Sequence, residues 1–209
     1  MLWQLLSSPF EFAGLLLALV TAISWHEAAH GFMANRLGDD TPKLAGRLTL
    51  NPLAHLDPIG SLFLLIFGFG WGKPVPINST KFRNPALDEF KVAIAGPLSN
   101  IILATAFGLS LRLLGGSISQ SIFELLSIFV FINLVLAVFN FLPIPPLDGS
   151  KLLRLVVPFE IYLMIEQLGF PILIGLLLLS AIGIPIFNTA VLGPTSVLFQ
   201  LITGIQPTF

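Results

Sequence analysis

Cysteine is absent from the 209-residue chain. That excludes a disulfide framework and any thiolate metal site, so a metal here would have to be held by His and carboxylate. Charge is almost as scarce: Asp, Glu, Lys and Arg make up 10% of residues while 55% are hydrophobic. A soluble domain carries about 25% charged residues, so there is too little polar material to coat a water-facing surface. The composition is that of a membrane protein. A net charge of −1 provides no basic field to recruit nucleic acid. No basic residue precedes the apolar stretch of the first ten residues, and no small-residue cleavage site follows it, so this stretch is read as retained rather than as a removed signal peptide. After Glu166 no charged residue occurs at all.

What is present is a set of long apolar runs. The first starts at Ser8-Pro9-Phe10-Glu11, with Ser placed to cap, Pro at the first helical position and Glu three residues after the cap. It is expected to run from Pro9 to about Arg36 and to stop at Gly38, a length of roughly 42 Å that crosses a bilayer with some tilt. Two further spans are expected at about 90–111 and 122–142. Between the first two lies an apolar stretch at 59–71, too short to cross and expected to be re-entrant, within a segment of about 46–78 whose Gly46–Leu50 and Lys73–Ile77 read as short strands. If that segment does not cross, Arg36, Lys43, Arg47, Lys73, Lys81, Arg83, Lys91, Lys151 and Arg154 share one side and Arg112 alone lies opposite, as the positive-inside rule requires. The expected fold is therefore an α-helical polytopic membrane protein. Residues 1–158 would form the core, with three transmembrane helices, and residues 159–209 would add apolar helices, with one or two spans at about 171–186 and 190–205.

The chemistry is concentrated in His26-Glu27-Ala28-Ala29-His30. Residues four apart on a helix are neighbours, so both imidazoles face one way and can grip one Zn²⁺, while Glu27 can reach a metal-bound water as general base. Packing is the plainer reading of these residues, but imidazoles and a carboxylate at membrane depth are costly unless a cation repays them. A catalytic zinc needs a third protein ligand. No Glu stands at the spacing that a second-helix ligand would have, and the position where a third His would follow the motif holds Arg36. Asp148 is the best remaining candidate, at the end of the run Asn140-Phe-Leu-Pro-Ile-Pro-Pro-Leu-Asp148-Gly149. Prolines keep this run extended and Gly149 permits a tight turn. The alternative for Asp148 is a helix cap ahead of Ser150.

Together the HExxH helix, Leu147-Asp148-Gly149 and the Asn140 to Asp148 approach resemble the site-2 protease family of intramembrane metalloproteases. So do Asn51-Pro52 with His55, Asp57-Pro58 and Gly60, the run Gly72 to Asn78, and Ala95-Gly-Pro-Leu-Ser-Asn100. The resemblance implies His26, His30 and Asp148 as ligands of one zinc per chain, Glu27 as catalytic base, and a site opening toward the cytosol in the cell membrane. It also implies transmembrane proteins or signal peptides as substrates. The chain has no room between spans for the PDZ insertion of larger members.

Other residues stay open at this level. Asn140 is the candidate catalytic donor to the oxyanion on the scissile carbonyl, or else it caps the third span. His55 and Asp57 either support the metal ligands or build a loop, and Asn100 bonds a neighbouring helix or a ligand. Pro74 and Pro76 lack N–H groups on the same edge, so the other edge of their strand could accept a substrate strand, or the prolines merely shape a loop. Two rivals to the protease reading are a membrane metal carrier and an inactive adaptor that binds transmembrane segments. The carrier would want further acidic or His residues along the spans, which hold only Glu11 and Glu124 near their ends, and the adaptor would not need Glu27.

Overall fold

A computed structural model describes residues 8–67 and 72–206. Six helices of eight residues or more carry the architecture: α1 (Pro9–Arg36), α2 (Pro58–Phe67), α3 (Pro85–Leu114), α4 (Gln120–Asn140), α5 (Phe159–Ala181) and α6 (Gly193–Thr203). Four of them, α1, α3, α4 and α5, are long and apolar enough to cross a membrane. The protein is a polytopic helical membrane protein.

Local sequence explains where the helices begin. Pro9 opens α1 at its first position, although the Ser8 side chain makes no capping bond, and a left-handed Gly38 (φ 108°) follows its end. α3 starts earlier than the apolar run alone suggests, because the Asn84 side chain accepts the Leu87 amide and Pro85 occupies the first turn. Ser119 caps α4 by accepting from the Ile122 amide. α1, α3 and α4 pack pairwise, and α6 closes on α3 and α4 through Phe199, which lies against Ala104, Leu111, Val130 and Leu134.

At two places the structure differs from the sequence expectation. The C-terminal part holds one long helix, α5, which starts well before Pro171 and continues through it, followed by a left-handed Gly183 and the shorter α6. Pro171 removes one backbone donor without ending the helix. Among the described residues no β-strand forms. Gly46–Leu50 is a turn and bend, and Lys73–Ile77 is extended but unpaired beyond a single antiparallel bridge between Leu56 and Gly72. Prolines at 74 and 76 deny the ladder every second donor. The re-entrant expectation for 59–71 falls partly on α2, ten residues long, and partly outside the described residues.

The strap 72–78 is pinned instead by polar anchors. The Lys73 amide donates to the His55 carbonyl at 2.7 Å, and the buried Arg47 guanidinium donates to the Lys73 carbonyl. At the other end the Asn78 amide donates to Asp39 Oδ2 at 2.7 Å. Burial pushes the Asp39 carboxyl up, but the amides of Asn78 and Thr41 and the Lys81 ammonium outweigh it and hold the group below its usual range.

Candidate metal centre

His26 and His30 sit one turn apart on α1 and project from the same face, with ring centroids 4.6 Å apart and planes at 87°. Both are buried. Past the end of α4, the proline-rich run carries the chain back so that Asp148 opens a 3-10 turn, Asp148–Leu152, against α3. Its Oδ2 lies 3.0 Å from His26 Nε2 and 3.4 Å from His30 Nε2. The three residues are the one His and carboxylate group among the described residues whose ligand atoms lie within 4.8 Å of one another.

The proton inventory shows what this cluster fits. His30 Nδ1 lies 2.7 Å from the Val92 carbonyl, which only accepts, so Nδ1 carries the hydrogen, and a neutral ring in that tautomer turns an Nε2 lone pair toward Asp148. Asp148 Oδ2 is buried and receives no hydrogen bond. Electron-pair donors facing one another without a proton between them repel, and a cation removes that repulsion. Two imidazole nitrogens and one carboxylate oxygen match a three-ligand catalytic zinc site. Space is kept for it by Gly96 of α3: a Cβ there would lie 2.5 Å from His30 Nε2 and 2.6 Å from His26 Nε2.

The cluster opens into a cavity of about 410 Å³, lined also by Glu27, Val75, Asn140 and Lys151. Glu27 stays out of the ligand group. Its Oε2 accepts the Val75 amide of the strap at 3.0 Å. Asn140 borders the same cavity, with Nδ2 donating to the Leu136 carbonyl at 3.0 Å, one turn back along its own helix. His55 and Asp57 lie elsewhere. Nε2 of the fully buried His55 meets the Thr49 carbonyl at 2.7 Å, and Asp57 Oδ1 accepts the Gly60 amide at the start of α2. They build the loop that anchors the strap. The strap edge read as a substrate partner is turned inward, because its Lys73 and Val75 donors are spent on His55 and Glu27.

Sequence reading placed no role on Gly96 or Val75. A glycine directly before a proline inside an apolar helix was the available signal for Gly96, since such a residue usually marks a close approach. Nothing in the sequence announces a backbone amide.

A membrane bundle in which two buried histidines meet a partly buried Asp148, with Glu27 outside that group, defines the class: a polytopic membrane protein built around a candidate metal-ligand group. The particular family follows from likeness to known proteins. Residues 108–180, which include Asn140 and Asp148, match the model of Peptidase family M50. Several relatives carry the words putative zinc metalloprotease in their names. YwhC of Bacillus subtilis is 42% identical over 154 residues, covering 69% of this chain and 69% of YwhC. Rip2 of Mycobacterium tuberculosis is 31% identical over 155 residues, covering 70% of this chain and 60% of Rip2. Stage IV sporulation protein FB of Bacillus subtilis is 42% identical over 97 residues, 46% of this chain and 30% of that protein. No solved structure gives a significant match. The chain belongs to peptidase family M50, the site-2 protease family.

Proposed function

We propose that the protein is an intramembrane zinc metalloendopeptidase that hydrolyses peptide bonds of transmembrane or signal-peptide segments. The observation that carries this reading is the convergence of the His26, His30 and Asp148 donor atoms within 4.8 Å of one another, beside Glu27 at the wall of an open cavity. His26, His30 and Asp148 would hold a zinc ion, which would supply Lewis acidity toward a water and the scissile carbonyl. Glu27 takes the proton from the attacking water and later delivers it to the leaving amine. The Val75 amide on Oε2 orients that carboxylate at the wall of the cavity. Asn140 Nδ2 spends one hydrogen on Leu136 and has a second to offer the oxyanion. The bilayer and the buried helix faces limit water to what enters the cavity.

The test is cleavage by the purified full-length chain, in detergent or vesicles, of a model transmembrane substrate. Chelation should abolish cleavage and added Zn²⁺ should restore it; cleavage that survives complete zinc removal would sink the reading.

Orientation is part of the same proposal. With nine of ten Lys and Arg on one side, the site opens toward the cytosol. The chain has no native cysteine, so single cysteines replacing Lys43, Lys81, Lys151 and Gly116 report cleanly. The first three should label from the cytosolic face and the last from outside. Labelling of 43 and 81 from opposite faces would show that the segment between α1 and α3 crosses the membrane.

A further inference from the structure

Two asparagines, Asn100 on α3 and Asn133 on α4, are fully buried inside the bundle. An amide without partners there is costly, because burial strips its water without replacing the hydrogen bonds. Their hydrogen bonds must therefore be accounted for atom by atom. Asn133 Nδ2 donates to the Phe129 carbonyl at 2.8 Å, which turns Asn133 Oδ1 toward Asn100. Asn100 Nδ2 donates to that Oδ1 at 2.9 Å and to the Ala22 carbonyl of α1 at 3.0 Å. Both hydrogens of the Asn100 amide are thus used, and its Oδ1 is left facing His26 Nδ1 at 2.7 Å. Turning the Asn100 amide over would set its oxygen against two other oxygens.

An oxygen held against Nδ1 accepts, so the His26 hydrogen belongs on Nδ1 and the lone pair on Nε2, the atom 3.0 Å from Asp148. His30 obtains the same outcome from a backbone carbonyl, which cannot turn over. His26 depends on a side-chain amide, which can, and Asn133 is what holds it.

We propose that Asn100, locked by Ala22 and Asn133, is a positioning residue that fixes the tautomer and ring orientation of His26 for metal binding. Asn133 thereby contributes to metal affinity from a third helix without touching a ligand. The inference rests on the metal-site reading above and adds to it a requirement on two residues outside the ligand set.

The test uses the full-length protein in detergent, with zinc affinity measured by chelator competition. A second readout is nitrogen NMR of ring-labelled histidine on the zinc-free protein, at a pH where the rings are neutral. The chain has three histidines, so His55 serves as an internal reference. Wild type should show His26 with its hydrogen on Nδ1. Asn100→Leu should release the ring to a mixture of tautomers and weaken zinc binding by about 10–100-fold. Asn133→Leu, which leaves Asn100 in place, should shift the tautomers in the same direction with a smaller loss of affinity, and it decides the matter if Asn100→Leu does not fold. Either an unchanged His26 tautomer in both folded variants or a wild-type ring with its hydrogen on Nε2 overturns the proposal. A wild type that fails to bind zinc would overturn the metal-site reading instead, and the tautomer measurement would still judge the relay.

Discussion

Replacing Glu27 with Gln is expected to lower proteolysis by about 10²–10⁴-fold while zinc content and folding stay at wild-type levels. Glutamine keeps the size of the side chain and an oxygen that can still accept the Val75 amide, so the strap stays docked. What it loses is the ability to take a proton. Because Glu27 stands outside the His26, His30 and Asp148 group, the candidate metal ligands are untouched. Asp148→Asn should behave differently, losing zinc affinity and cleavage together, since a neutral amide is a poor substitute for the anionic ligand. Measured side by side, the two variants separate chemistry from metal binding. Wild-type cleavage by the Glu27 variant would remove Glu27 from its role. Retained zinc and activity in the Asp148 variant would place the third ligand elsewhere.

The parts of this site that were legible in the sequence are those written in residue identity and local spacing. His26 and His30 stand four apart in a helix whose start is marked by Pro9, so their common face follows from helical geometry alone. Asp148 was found by elimination, and its approach by three prolines agrees with its position beside both imidazoles. The membrane class followed from the scarcity of charge. What stayed hidden depends on tertiary contact. Asn100 read as a polar residue able to bond something, but that its partner is His26, and that Asn133 stands behind it, are facts about three helices meeting. The strands expected at Gly46–Leu50 and Lys73–Ile77 do not form. In the structure Arg47, His55, Asp39 and Glu27 take the hydrogen bonds that a ladder would have used. The first C-terminal span was expected to begin at Pro171, whereas α5 begins at Phe159 and carries that proline in its interior, as a long apolar helix can.

Gly96→Ala is the second substitution with a large expected effect. The added methyl would sit 2.5 Å from His30 Cε1 and Nε2 and 2.6 Å from His26 Nε2, far inside van der Waals contact. Neither ring can step aside freely, because each is tied at Nδ1, His26 to Asn100 and His30 to the Val92 carbonyl. Relieving the clash takes a shift of about 1 Å at the metal-facing atoms, a displacement that typically costs about 10²-fold. Zinc affinity and cleavage should both fall by about that factor. Gly116→Ala, where a Cβ meets nothing within 4 Å, is the control and should leave both unchanged.

Zinc content per chain, determined on purified wild type alongside His26→Ala, His30→Ala and Gly96→Ala, tests the central claim most directly. The account predicts about one Zn²⁺ per wild-type chain, strong depletion in both histidine variants, and weakened retention in the glycine variant when the proteins are washed with chelator. Full zinc occupancy in both His26→Ala and His30→Ala would contradict it, because the metal would then be held by other residues.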